Sequence, residues 1–299
     1  MTVLRDHIAA GRGVHNLHKP WMYRGPDMKV AVAQFSAGMD KAANLERIIA
    51  LAERAAGEGA ELVVFPEAAM CDFGHATDDL RGLAEPLDGP FVGAMRRLAA
   101  HHRLTLVAGM FELIPGDQRI YNTAVVVDPV KGLVGSYRKR HLFDAFGDVE
   151  SDRIRPGEDE PPLLDIHGFK VSVVTCYDIR FASFIEGVAD RGADLLAVPS
   201  AWVAGPLKEE QWAVLVRARA LDNTMYVAGA GQTGTSYTGR SSIVDPLGVL
   251  VAGLGEAEGV ATAAISRERL QAVRARLPLL AGRRKRVIAD RSSVHGGGD

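Results

Sequence analysis

The chain has 299 residues, 47% of them hydrophobic and 24% charged, with a formal net charge of −2. This balance excludes a disordered polyelectrolyte and gives no electrostatic reason to expect nucleic acid or an anionic membrane surface as partner, so the expected ligand is a small molecule. Two cysteines, Cys71 and Cys176, are too few for a disulfide framework and form no CxxC pair for zinc or redox chemistry, which fits a reducing cytoplasm and a site without metal.

Residues 1–27 have no clear periodicity and place Arg5, Asp6, His7, Arg12, His15 and His18 where a signal peptide needs an apolar core. They are expected to form a loosely ordered extension, with Trp21 and Tyr23 the residues best suited to docking. No apolar run reaches membrane-spanning length. From Met28 the pattern predicts strand 29–35, helix 40–57, strand 61–66, helix 90–102, and strands 104–113, 121–128 and 133–137. It resumes with strand 170–176, helix 181–191, strand 194–199, helix 207–222, and strands near 225–231, 241–245 and 249–252. Residues 28–286 are read as one domain and 287–299 as a tail. The alternation argues for an α/β fold with helices covering sheets.

An internal repeat sharpens this reading. GAELVVFP at 59–66 matches GADLLAVP at 192–199, and KVAVAQF at 29–35 precedes the first as KVSVVTC at 170–176 precedes the second. Farther on, VVVDPVKGLV at 125–134 parallels SIVDPLGVLV at 242–251, each a strand, an Asp-Pro turn and a strand. Two similar halves, each with its own sheet, predict a four-layer α-β-β-α sandwich with pseudo-twofold internal symmetry.

Three reactive side chains follow strand-like runs. Glu67 ends LVVFPE, Lys139 sits in YRKRHLF, and Cys176 ends VVTC. In an α/β fold ligands collect at the carboxyl ends of strands, where these three side chains can converge. Each has a plain structural explanation when taken singly: a buried thiol, a capping glutamate, a solvated basic turn. A thiol, a base and a cation in one cleft are the parts needed to attack a carbon–nitrogen bond.

The segments VVFPEAAM, YRKRHLFDAF and TCYDIRF, in that order, resemble the glutamate, lysine and cysteine signatures of the nitrilase superfamily of carbon–nitrogen hydrolases. RARALDN at 217–223 and GRSSIVDPLG extend the resemblance, which covers residues 28–286. It implies Cys176 as nucleophile, Glu67 as general base and Lys139 as stabiliser of the oxyanion, with the N–H of Tyr177 as a second donor. VESDRIRPG resembles the family stretch holding a further glutamate, which points to Glu150 over its neighbours Asp148 and Asp152. The resemblance also implies a homodimer or larger homo-oligomer and no cofactor.

Positions beside the signatures are the candidates for substrate binding: Phe73, Tyr177, Arg180 and Trp202. Arg180 either holds a substrate carboxylate bidentately or pairs with Asp178, and the structural pairing is favoured. Cys71 is read as a buried spectator, His141 as structural, and the pair His101 and His102 as helix-end residues. GAGQTG at 229–234 fits GxGxxG, yet turn-rich sequence follows it where a nucleotide site needs a helix N-terminus. The expected activity is hydrolysis of a small aliphatic amide through a Cys176 thioester, with nitrile or N-carbamoyl amide hydrolysis as alternatives on the same residues. A non-catalytic binding protein on the same fold is the alternative of another class.

Overall fold

The computed structural model describes residues 27–75 and 77–283, so the extension up to residue 26 and the tail lie outside the described residues. In chain order the elements are β1 (Met28–Gln34), α1 (Lys41–Gly57), β2 (Leu62–Val64), α2 (Leu80–Leu83), α3 (Pro90–His102), β3 (Thr105–Leu113), β4 (Ile120–Asp128), β5 (Gly132–Arg138), β6 (Asp144–Ala145) and β7 (Asp148–Val149). The second half follows with β8 (Leu163–Ile166), β9 (Phe169–Val173), α4 (Ala182–Asp190), β10 (Leu195–Ser200), α5 (Lys208–Asn223), β11 (Tyr226–Gly231), β12 (Ser242–Val244), β13 (Leu250–Gly253), β14 (Gly259–Ile265) and α6 (Arg267–Arg276).

Two six-stranded sheets have orders β14-β1-β2-β3-β4-β5 and β13-β12-β11-β10-β9-β8. Each places three parallel strands in the middle, two antiparallel strands on one side and one antiparallel strand on the other. The internal repeat is therefore a repeat of topology. Even the irregularities correspond: the register shifts between Val126 and Val127 in one sheet and between Ile243 and Val244 in the other, the same place before each Asp-Pro turn.

Strand alternation distributes the apolar side chains between layers. Val30 and Val32 of β1, Leu62 and Val64 of β2, Val171 and Val173 of β9, and Leu195 and Ala197 of β10 pack together between the sheets. The intervening residues face helices. Ala31, Val63, Leu106 and Val125 meet Ile48 and Ala52 of α1 and Val92 and Met95 of α3. On the other side Leu196, Val198 and Val227 meet Ile185 of α4 and Trp212 and Val216 of α5. Helix, sheet, sheet, helix is the expected order of layers.

Several predicted strands are shorter than expected: 61–66 is a strand only over Leu62–Val64, and 241–245 only over Ser242–Val244. The run 170–176 stops being a strand at Val173, and a 3-10 turn begins at Cys176. Among the described residues no helix is long and apolar enough to cross a membrane.

Candidate active site

Glu67 stands three residues beyond β2, on backbone that two glycine-like contacts shape. Ala68 takes a left-handed φ of 53°, and β3 passes so close that a Cβ on Gly109 would lie 2.6 Å from the Glu67 Cα and 2.5 Å from the Ala68 nitrogen. Gln232 secures the same bend, its Nε2 donating to the Glu67 carbonyl at 3.0 Å. The side chain is 1% exposed. Its Oε1 accepts from Lys139 Nζ at 2.9 Å and Asn122 Nδ2 at 2.7 Å, and its Oε2 accepts from the Ala201 N–H at 2.7 Å.

Lys139 follows directly on β5 and is 2% exposed. Beyond Glu67, its Nζ donates to both oxygens of Glu150, at 2.8 and 3.1 Å. Burial works against the charged form, but Glu150 first and then Glu67 and Cys176 hold Lys139 well above an ordinary lysine. Glu150 is fixed in turn by the Phe143 N–H at 2.6 Å and by Asn122 Nδ2 at 3.1 Å. Asn122 thus donates to both carboxylates that flank the ammonium.

Cys176 is 6% exposed and adopts a left-handed φ of 47°, a strained conformation for a side-chain-bearing residue of the kind that concentrates at reactive turns. Burial, then Glu67, pushes its thiol up, while Lys139 and the Ser200 hydroxyl oppose the shift. A thiol held up in this way favours its proton, so attack calls for a base at hand. Asp178 locks the turn. Its Oδ2 accepts from the Thr175 N–H at 3.0 Å and Tyr137 OH at 2.8 Å, and its Oδ1 lies 3.0 Å from the His141 nitrogen and 2.7 Å from His141 Nδ1. The cysteine turn is therefore tied to the segment that carries Lys139.

Glu67, Lys139, Glu150 and Cys176 share a cavity of about 400 Å³ with Phe73, Tyr177 and Trp202. Arg180 is the exception among the expected site residues. It lies outside the cavity lining, with its Nη2 donating to Gln211 Oε1 at 2.6 Å and its guanidinium 4.8 Å from the Trp202 ring centre. The expected pairing with Asp178 is not made: Tyr137, Thr175 and His141 occupy that carboxylate instead.

Cys71 is buried outside the lining, where burial pushes its thiol up to about 11. His101 and His102 stack edge to face at the end of α3, beside Leu45 and Ile49 of α1. GAGQTG runs from β11 into irregular chain and then β12, with no helix at its end. Its glutamine is the Gln232 that holds Glu67. Sequence reasoning missed Asn122, Gln232, and Lys208, Asp72 and Tyr237 of the cavity wall.

A family model described as carbon-nitrogen hydrolase matches residues 29–275. The chain is 38% identical over 258 residues to a deaminated glutathione amidase of Escherichia coli O157:H7, covering 86% of this chain and 97% of that one. It is 35% identical over 283 residues to an omega-amidase of Saccharomyces cerevisiae, covering 88% and 95%. The crystal structure of S. cerevisiae Nit3, described as a member of branch 10 of the nitrilase superfamily, superposes with a TM-score of 0.76 at 32% identity, over 85% of this chain and 95% of that one.

Proposed function

The chain belongs to the carbon-nitrogen hydrolase family as an enzyme of amidase type, and from that premise we propose that it cleaves a small non-peptide amide to a carboxylic acid and ammonia through a thioester on Cys176. The observation that carries this reading is the convergence of a buried thiol, carboxylate and ammonium, each delivered by a different strand, on one cavity. Relatives named as amidases favour an amide over a nitrile as the bond broken.

In this reading Cys176 Sγ attacks the amide carbon while Glu67 takes the thiol proton. The carbonyl oxygen becomes an oxyanion that accepts from Lys139 Nζ and the Tyr177 N–H; one such donor typically contributes about 3–4 kcal/mol. The carbon–nitrogen bond breaks as Glu67 returns the proton to nitrogen, and ammonia leaves a thioester behind. Water then gives a proton to Glu67 and attacks the thioester carbon. The second intermediate expels sulfur, which recovers the proton, and the acid departs. Glu150 and Asn122 hold Lys139 and Glu67 in register throughout.

The test is ammonia release from short aliphatic amides, omega-amides of dicarboxylic acids, N-carbamoyl amino acids and nitriles, with wild type beside Cys176→Ala. Turnover of an amide, lost by on the order of a thousandfold or more in the variant, is the expected result. Equal release by the variant overturns the thiol mechanism, and release from nitriles alone overturns the amide assignment. Intact-protein mass spectrometry is expected to find the acyl group on Cys176.

A further inference from the structure

The cavity holds a cation that the proposed chemistry leaves unused. Lys208 lines the same wall as Cys176 and is only 8% exposed. The other basic groups of the lining are engaged: Lys139 by Glu67 and Glu150, and Arg153 by the carbonyls of Phe73 and His75 at 3.1 and 3.0 Å. Lys208 Nζ has no hydrogen-bond acceptor and no carboxylate at ion-pair distance among the described residues. Its neighbours are rings, with the centres of Phe146, Phe143 and Trp202 at 4.0, 5.3 and 6.0 Å. Ring faces compensate a desolvated ammonium only in part.

The position is unfavourable for a cation in two further ways. Lys208 is the first residue of the 16-residue helix α5, at the positive end of its dipole, where anions are stabilised and cations are not. The guanidinium of Arg180 adds like charge: burial first and then Arg180 push the lysine below its ordinary value, while Cys176 and Asp148 act the other way. Asp148, on β7, is exposed, and Glu209 and Glu210 in the first turn of α5 do not reach Nζ. The backbone is nonetheless pinned, because Trp202 Nε1 donates to the Lys208 carbonyl at 3.0 Å. A positive centre that faces a ligand cavity with no hydrogen-bonded or ion-paired partner among the described residues marks where a negative group can bind.

We propose that Lys208 is the specificity-determining residue of the site, holding a carboxylate at the end of the substrate remote from the amide. This rests on the amidase reading and extends it from the bond broken to the group recognised. Arg180 does not make this contact but, stacked on Trp202, adds to the field that favours an anion. Phe143 and Phe146 flank the ammonium, and Phe146 is itself largely exposed, so the ion pair forms beside ring faces with water in reach.

Two length-matched amides test it: glutaramate, with a terminal carboxylate, and pentanamide, with a terminal methyl. In Lys208→Gln the preference for glutaramate, as a ratio of kcat/KM values, is expected to fall about 10- to 100-fold, mainly through KM, with partial recovery in Lys208→Arg. In parallel, calorimetric binding of glutaramate to Cys176→Ala is expected to weaken by a similar factor when Lys208→Gln is added. An unmoved ratio, or binding that ignores Lys208, overturns the assignment. If wild type hydrolyses neither amide, the binding measurement decides alone: Lys208-dependent binding means the anchor stands and the amidase reading is decided by the wider panel, and its absence means the anchor fails.

Discussion

Asn122 serves the site from inside a strand. One side-chain nitrogen donates to Glu67 and Glu150, while its buried Oδ1 has no hydrogen-bond partner among the described residues. Asn122→Leu removes both bonds and should cost about 1–3 kcal/mol of stability together with most of kcat. Asn122→Asp should be worse in both respects, because it sets a third carboxylate around one ammonium; kcat and Tm of the two variants check the order. The reactive trio was legible in the sequence because each member ends an apolar run beside a proline, a basic cluster or a turn. Asn122 was less so, since an amide among the β-branched residues of IYNTAVVVD advertises only that it is out of place in a strand. Lys208 carried a comparable mark, a lysine at the wrong end of a helix. Asn122 acts through Glu67 and Glu150, and Lys208 sits against Phe143 and Phe146, spatial neighbours far off in the chain that no local pattern encodes.

At the scale of elements, the crossing of β3 against the Glu67 bend sets the position of the carboxylate. Gly109→Ala would drive a methyl into backbone atoms of Glu67 and Ala68 that cannot turn aside. A loss of about 1–3 kcal/mol and at least tenfold in kcat is expected. Gly93→Ala on α3, where the new Cβ meets only Arg97 Nη1 at 3.6 Å, should leave activity intact and raise stability by about 0.5–1 kcal/mol; thermal melts and kinetics of the pair separate close approach from a generic glycine effect. The central strands were legible from their Val, Leu and Ile runs. β14, GVATAAI, escaped because alanine and glycine are weak strand formers, and α6, RERLQAVRAR, because it buries only Leu270 and Val273. The four-residue strand β8 is too short to announce itself, although the symmetry of the halves required a partner beside β9.

For the molecule as a whole, five buried groups share one sign of proton linkage. Cys71, Cys176, Tyr137, Tyr237 and Lys139 all hold their protons to higher pH when folded. The folded state therefore binds more protons than the unfolded chain once the medium passes a free thiol's 9.0, and stability declines as pH rises from there. Calorimetric Tm values should be level from neutrality to pH 9 and fall from there through about 11, the folded-state midpoint of Cys71, and beyond as the tyrosines follow. Cys176→Ala should make the first part of that decline shallower. The strand order carries a different consequence, in time rather than in pH. β1 lies between β2 and β14, so Met28 pairs with Ile265 and Gln34 with Gly259. The second sheet draws its edge strand β8 from immediately before β9, whereas the first waits for β14, which follows every other described strand in the chain. On the ribosome the half bearing Cys176 can complete its sheet while the half bearing Glu67 still exposes an open edge beside β1, the interval in which a chaperone has most to protect.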